Sequence, residues 1–356
     1  MSRFMSSNYA GLVPYVPGEQ PRDLTDRVKL NTNENPFPPS EKAKRYAAKA
    51  AENLQLYSDT ECTLLRAKIA ALYAIDPDEI MCTNGSDEAL DLCFLAFCDE
   101  QHPAIFPDIT YGFYKVFAEV DRVPYQEIPL KADMTVDLND YLSAPGKTVF
   151  IANPNAPTGI ALPKADIIRL LESDPDRIVV VDEAYVDFGG ESCVDLIHTY
   201  DNLVVTQTCS KSRSLAGARL GFAFASRPLI RDLNTLRNSR NPYNVNTMTM
   251  MAGLGAFEDE AYTRDNCRQI RETRAYLTAA LRGMGFTVLD SSANFVFAAS
   301  DRISGKDLYL QLKARNIFIR HFDTPRLAPY NRITVGTVEQ VDRLLCAINQ
   351  ILEATK

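Results

Sequence analysis

Lys211 lies just past the apolar run Leu203–Thr206 and is flanked by hydroxyls, with Gln207-Thr208-Cys209-Ser210 before it and Ser212-Arg213-Ser214 after it. Most lysines at a strand end are solvated surface residues. A lysine with Thr208 and Ser210 beside it, and Arg219 eight positions on, also suits an amine held near a phosphate. Lysine forms Schiff bases when part of its amine is kept neutral, and a neighbouring cation such as Arg219, or a bound cofactor, would lower its pKa in that way.

Asp182 is a second candidate. It closes the apolar run Val179-Val180-Val181 and precedes Glu183-Ala184-Tyr185. Ligands of open α/β sheets sit beyond the carboxyl ends of strands, where Asp182 is expected. Acidic residues also end strands merely to solvate a loop, so this segment alone leaves both roles open. Asn153-Pro154-Asn155-Ala156-Pro157-Thr158-Gly159 directly follows the run Thr148–Ala152 and by itself reads as a Pro/Gly turn. Thr83-Asn84-Gly85-Ser86-Asp87-Glu88 falls between a strand and a helix. Glycine and a hydroxyl at a helix N-terminus can form a phosphate nest, or an ordinary Ser/Asp cap.

Together with Tyr111 the four segments hold the parts that pyridoxal phosphate requires: a Schiff-base lysine, an acid for the pyridinium nitrogen, phosphate anchors, donors to the phenolic oxygen and a face for the ring. The order N-P-x-x-P-T-G, D-E-A-Y and S-K-x(7)-R resembles the fold-type I aminotransferases over nearly the whole chain. Five further stretches are similar to the histidinol-phosphate aminotransferase branch. They are Pro14-Tyr15-Val16-Pro17-Gly18, Leu30-Asn31-Thr32-Asn33-Glu34-Asn35-Pro36, Tyr57-Ser58-Asp59 with Leu65-Arg66, Pro242-Tyr243-Asn244-Val245-Asn246, and Arg332-Ile333-Thr334-Val335-Gly336.

The resemblance implies a role for each residue. Lys211 is the Schiff-base lysine and Asp182 the partner of the pyridinium nitrogen. Tyr185 and Asn153 hydrogen-bond the phenolic oxygen, and Tyr111 stacks on the ring. Gly85, Ser86, Asp87, Thr208, Ser210 and Arg219 line the phosphate cup, Asp87 through its backbone N–H because its carboxylate would repel phosphate. Tyr57 reaches the cofactor phosphate of the other subunit, which implies a homodimer with shared active sites. Arg332 binds a substrate carboxylate or phosphate, Arg320 and Tyr15 help at the phosphate end, and Asn33 belongs with these substrate-binding residues. The implied reaction is transamination between a small-molecule amino donor, L-histidinol phosphate, and a 2-oxo acid, 2-oxoglutarate.

Four stretches depart from the family pattern. Asn155-Ala156 stands where Asn-Asn is common, Ser58 replaces the proline of a Y-P-D motif, Ser212-Arg213-Ser214 follows the lysine, and Asp108-Ile109 occupies the place of a shorter P-T-Y link. Arg213 and the 108–109 stretch are expected to bear on pocket shape.

The elements that must position these groups are legible as alternating patterns. Apolar runs recur at 80–83, 104–107, 148–152, 178–181, 203–206 and 220–225, with helical spacing at 41–55, 60–74, 87–97, 111–120 and 164–172. Strands alternating with helices predict a mostly parallel α/β sheet. The resemblance makes it seven-stranded with one antiparallel strand. After about residue 245 the order changes to helices at 247–258 and 261–284, runs at 286–289 and 294–298, a helix at 305–315, runs at 317–320 and 332–335, and a last helix at 337–354. The expected organisation is an N-terminal arm, 1–40, packing with the small domain, a large cofactor domain, 41–245, and a smaller α+β domain, 246–356.

Composition narrows the classes. A chain of 356 residues exceeds one compact core and suggests two domains. A net charge of −8 argues against a nucleic-acid-binding face. The 8 cysteines form no C-x-x-C pair and only 3 histidines are present, so no zinc pattern appears and free thiols in a reducing cytoplasm are expected. No apolar leader and no membrane span are expected. Three other functions share the frame: an aromatic amino acid aminotransferase, a pyridoxal-phosphate decarboxylase of a phosphorylated amino acid, and a non-catalytic regulator.

Overall fold

Runs of mostly apolar residues with almost no exposed atom form the inner strands of the larger sheet, whose alternating side chains feed one core on each face. The structure, a computed structural model, describes residues 2–9, 11–21, 26–144, 146 and 148–354. In chain order its strands are β1 (Val28–Lys29), β2 (Ile80–Thr83), β3 (Ala104–Pro107), β4 (Tyr125–Ile128), β5 (Thr148–Ala152), β6 (Ile178–Asp182), β7 (Leu203–Thr208), β8 (Gly221–Ala225), β9 (Phe286–Val288), β10 (Phe295–Ser300), β11 (Ile317–Phe318), β12 (Arg320–His321) and β13 (Tyr330–Thr334).

Seven of them form a sheet in the order β2-β8-β7-β6-β5-β3-β4. Only β8 runs antiparallel to its neighbours. This is the fold-type I α/β architecture that the resemblance implies. Val149, Ile151, Val179, Val181, Leu203 and Val205 enter one core, and Phe150, Val180 and Val204 enter the other. Phe150 stacks on Phe94 of the helix Gly85–Phe97 at 4.0 Å. Burying a side chain of this size contributes about 1.5–3 kcal/mol.

Three elements had no run or spacing that announced them. Tyr125–Ile128 is the sheet's edge, with Gln126 and Glu127 exposed, so it reads as polar. Leu138–Ser143 is a short helix capped by Asp137. The helix Arg227–Arg240 is mostly polar or charged and buries only Ile230, Leu233 and Arg237.

Strands β12-β13-β10-β9 form a second, antiparallel sheet, covered by the helices Glu260–Gly283, Gly305–Ala314 and Val338–Ala354. The N-terminal arm joins it. Strand β1 pairs with β11, Val28 and Leu30 enter its core, and the Leu30 carbonyl accepts from Thr334 N–H at 3.0 Å. The helix Thr247–Phe257 does not belong to this body, although the sequence pattern shifts near 245. Met250, Ala252, Leu254, Ala256 and Phe257 share the core of the large sheet. That helix is apolar on almost every face, so its pattern names no neighbour. We therefore place the division within Glu260–Gly283, whose Leu277 and Leu281 enter the second core.

Candidate active site

Strands β2, β3, β5, β6 and β7 run in one direction, so their carboxyl ends meet at one edge of the sheet, where β8 begins. The loops there line a cavity with Ser86, Asp87, Tyr111, Asp182, Tyr185, Thr208, Ser210, Lys211 and Arg219, all nine expected from the sequence. Gly221 is in register with both Thr83 and Thr208, which brings the start of β8 against the helix beginning at Gly85. A Cβ on Gly221 would lie 2.3 Å from Ser86 N, and one on Gly85, at φ +77°, would lie 2.5 Å from an Arg219 nitrogen. Glycine at both places lets the helix N-terminus and Arg219 share one concavity.

The hydroxyls of Thr208 and Ser210 are 2.9 Å apart, and Arg219 Nη1 donates to Ser210 Oγ at 3.4 Å. Asp87 takes a part the sequence did not assign to it. Its carboxylate accepts from Arg219 Nη2 at 2.9 Å and from Tyr111 Oη at 2.7 Å, so it braces both residues.

Asp182 is buried at the end of β6. One oxygen accepts from Tyr114 Oη at 3.1 Å, and the other from Ala184 N–H at 3.2 Å and Thr206 Oγ1 at 3.4 Å. Among the described residues no cation pairs with it. Burial pushes its carboxyl up to about 6, against the pull of these hydrogen bonds. Burial and the adjoining carboxylates likewise push the Tyr111 and Tyr114 phenols up, which keeps both as donors. Tyr114 was not picked out from the sequence; its place three residues after Tyr111 on the helix Phe113–Asp121 was the available signal.

Lys211 Nζ donates to the Thr32 carbonyl at 3.3 Å and stands 5.9 Å from the Tyr185 ring centroid. Asn35 Nδ2 holds the Lys211 and Ser212 carbonyls at 2.9 and 3.1 Å. Tyr185 Oη accepts from Asn33 Nδ2 at 2.9 Å, and Thr334 Oγ1 donates to Asn33 Oδ1 at 3.1 Å. Asn153 departs from the expected set. Both ends of its amide engage the Leu162 backbone, at 3.0 and 2.9 Å, and it lines neither this cavity nor the next. Ala156 lines both, so within this turn the side chain that meets the cavity is a methyl group rather than an amide.

A larger cavity of about 650 Å³ shares Tyr111, Ala156, Tyr185 and Lys211 with the first. Tyr15, Asn33, Arg320 and Arg332 line it, as expected for substrate-binding groups. Arg332 Nη2 donates to the Asn31 carbonyl at 3.1 Å, while its buried Nε has no partner among the described residues. Phe322 lies under both arginines, 5.4 Å from the Arg320 guanidinium and 5.8 Å from that of Arg332. Arg213 does not reach the cavity. It is buried against Phe257 at 3.6 Å and paired with Glu260 at 2.6 Å, so it is a packing residue. Tyr57 lines neither cavity; it is 82% exposed and stacks on Tyr243 at 4.4 Å.

The residues present fit pyridoxal phosphate. A buried carboxylate without a cation matches a protonated ring nitrogen, Lys211 matches an aldehyde carbon, and the helix N-terminus with two hydroxyls and Arg219 matches a phosphate. Fold and site together suit a pyridoxal-phosphate enzyme.

The chain matches the aminotransferase class I and II family over residues 25–348 and belongs to it. It is 47% identical over 352 residues, 99% of this chain and 100% of that protein, to "Histidinol-phosphate aminotransferase 1" of Bradyrhizobium diazoefficiens. It is 46% identical to "Histidinol-phosphate aminotransferase" of Acetobacter pasteurianus, covering 99% of each. Among solved structures, the histidinol-phosphate aminotransferase from Clostridium acetobutylicum shares its fold with TM-score 0.85 at 23% identity, over 92% of this chain and 99% of that one. The Sinorhizobium meliloti histidinol-phosphate aminotransferase in complex with pyridoxal-5'-phosphate gives TM-score 0.85 at 21% identity, over 92% of each.

Proposed function

We propose that this enzyme carries out two half-transaminations with pyridoxal phosphate, taking the amino group from L-histidinol phosphate and giving it to 2-oxoglutarate. The observation that carries the chemistry is Asp182, a buried carboxylate without a cation, in one cavity with Lys211 and Arg219. The choice of donor is supported by the full-length relatives and by two arginines in the larger cavity.

Pyridoxal phosphate, when bound, supplies a conjugated pyridinium that takes up electron density as the donor's α-carbon loses its proton. Asp182 would hold the proton on the ring nitrogen, itself held by Tyr114, Thr206 and the Ala184 N–H. Lys211 Nζ would carry the cofactor and, once released, take the α-proton as general base and deliver it as general acid to the carbon that was the cofactor's aldehyde. The Thr32 carbonyl is placed to hold that amine in the interval. Tyr185, held by Asn33, would donate to the phenolic oxygen, and Ser86, Thr208, Ser210 and Arg219 would bind the phosphate. Arg219 must then exchange part of its pairing with Asp87 for the phosphate. Arg332 and Arg320 would take the substrate's phosphate or carboxylate, because the guanidinium fork meets either anion with two bonds. We assign Asn153 to the turn and not to the cofactor.

Half-reaction spectroscopy across amino donors tests this function. Histidinol phosphate should convert the cofactor with a kcat/KM at least tenfold above that for phenylalanine, and histidinol without its phosphate should be a poor donor. Phenylalanine better by tenfold would replace the assignment with an aromatic aminotransferase. Release of carbon dioxide without need for an oxo acid would identify a decarboxylase.

We also propose a homodimer with shared sites in the cytoplasm. Tyr57 is exposed on its own chain together with Leu54, Leu56 and Leu64, an apolar surface that suits contact with a second copy. Eight free thiols, seven of them buried, suit a reducing compartment. If Tyr57 serves the partner's phosphate cup, mixing inactive Tyr57→Phe with inactive Lys211→Ala subunits should restore activity, toward one competent site per mixed dimer. A fully active monomer in sedimentation runs contradicts the shared site.

A further inference from the structure

Asp108 and Ile109 depart from the usual family link and have no part in the chemistry above. Both line the larger cavity and neither lines the smaller one, which puts them on the substrate side of Lys211. Each meets the segment 322–327 of the C-terminal body in its own way. Asp108 Oδ2 accepts from Arg326 Nη1 at 2.9 Å, and its Oδ1 accepts from Leu130 N–H at 2.9 Å. Arg326 Nη2 donates to the Leu130 and Lys131 carbonyls, both at 2.9 Å. Ile109 packs with Leu130, Met134, Phe297 and Leu327 in an apolar cluster of its own. Asn155 fixes the stretch from behind, donating to the Ile109 carbonyl at 3.0 Å and accepting from Thr110 Oγ1 at 2.9 Å.

Among the described residues Asp108 is the one carboxylate lining that cavity, beside Lys211, Arg320, Arg326 and Arg332. Its pairing occupies Arg326 and leaves Arg320 and Arg332 to meet substrate anions. The pair is partly exposed, so its contribution to stability is small and its effect is geometric. A planar guanidinium that meets three acceptors on two loops holds the cavity wall at one distance.

We infer that Asp108-Ile109 and Arg326-Leu327 form a clasp that sets the width of the substrate cavity. They act as positioning residues that restrict the donor to a ring no larger than imidazole or phenyl. Apolar walls of this kind discriminate roughly 10- to 200-fold per methylene. The inference rests on the proposed use of histidinol phosphate as donor.

The test uses holoenzyme of the wild type and of Ile109→Ala, Asp108→Asn and Arg326→Lys. The kcat/KM for tryptophan and for histidinol phosphate is measured with 2-oxoglutarate, alongside melting temperatures. Each variant should raise the tryptophan-to-histidinol-phosphate ratio about tenfold or more, chiefly through KM. Asp108→Asn combined with Arg326→Lys should add little to Arg326→Lys alone, because that change already breaks the Asp108 contact. A purely structural role would lower the melting temperature and slow all donors alike. Ratios within twofold of wild type in folded, cofactor-binding variants overturn the clasp. Should Ile109→Ala fail to fold, the partly exposed Asp108 and Arg326 variants decide. If the wild type rejects histidinol phosphate, the donor assignment fails. The clasp then stands or falls on the tryptophan-to-phenylalanine ratio in the same variants.

Discussion

Lys211→Ala should leave a folded protein without the long-wavelength absorbance of a lysine-linked cofactor and with turnover reduced about 10⁴-fold or more. The effect is large because one amine does two jobs. It links the cofactor, and as general base and acid it accounts for roughly 10²–10⁴ in rate by itself. The fold should survive the change. The backbone at this point is held by Asn35 through the Lys211 and Ser212 carbonyls, and the amine makes one hydrogen bond, to Thr32 O. Borohydride reduction of the wild type followed by peptide mapping should label Lys211. Lys29, the other lysine near Thr32, is already committed to Glu34 and to the Thr32 hydroxyl. A label on Lys29 or any other lysine sinks the central assignment.

Strand-end chemistry was legible because it combines local composition with a direction. An apolar run that stops in Asp182, or a run followed by Thr208, Ser210 and Lys211, announces both a strand and its carboxyl end. Parallel order then brings those ends together. What failed was information that a pattern cannot hold. The edge strand Tyr125–Ile128 has one neighbour and two exposed polar residues, so it lacks the apolar run of the inner strands. Asn153 and Ala156 lie in one turn, and only the course of that turn decides which side chain faces the cavity. Hydrogen bonds to Leu162 take Asn153 out of it. For Asp87 the expectation covered only its backbone N–H, not what its carboxylate does. The separation of Arg219 and Tyr111 in the chain hid the bridge it makes between them.

Asp182→Asn should slow proton transfer by roughly 10²–10³, the loss expected when a preorganised charge partner is removed from a dry site. The same substitution should stabilise the cofactor-free protein. Burial holds the Asp182 carboxyl near 6, above the ordinary carboxylate range. The folded chain therefore keeps that proton to a higher pH than the unfolded chain does. Its stability falls as pH rises from about 4 through 6, and the full cost, on the order of 3 kcal/mol, is present at neutral pH and above. An asparagine carries no charge to desolvate. Its oxygen can still accept from the Ala184 N–H while its amide donates to Tyr114 Oη, and the loss of the carboxylate as acceptor for the Tyr114 O–H offsets only part of the gain. Denaturant unfolding of cofactor-free protein at pH 8 and at pH 4.5 separates the terms. Asp182→Asn should exceed the wild type clearly at pH 8, and its advantage should shrink to about a third at pH 4.5. Pyridoxal phosphate should reverse the order at pH 8, because only the aspartate has a pyridinium to pair with and ligand binding adds to stability by mass action. Near-wild-type turnover in Asp182→Asn, or a cofactor-free variant no more stable than wild type at pH 8, means that this carboxylate is not the charge partner its surroundings make it.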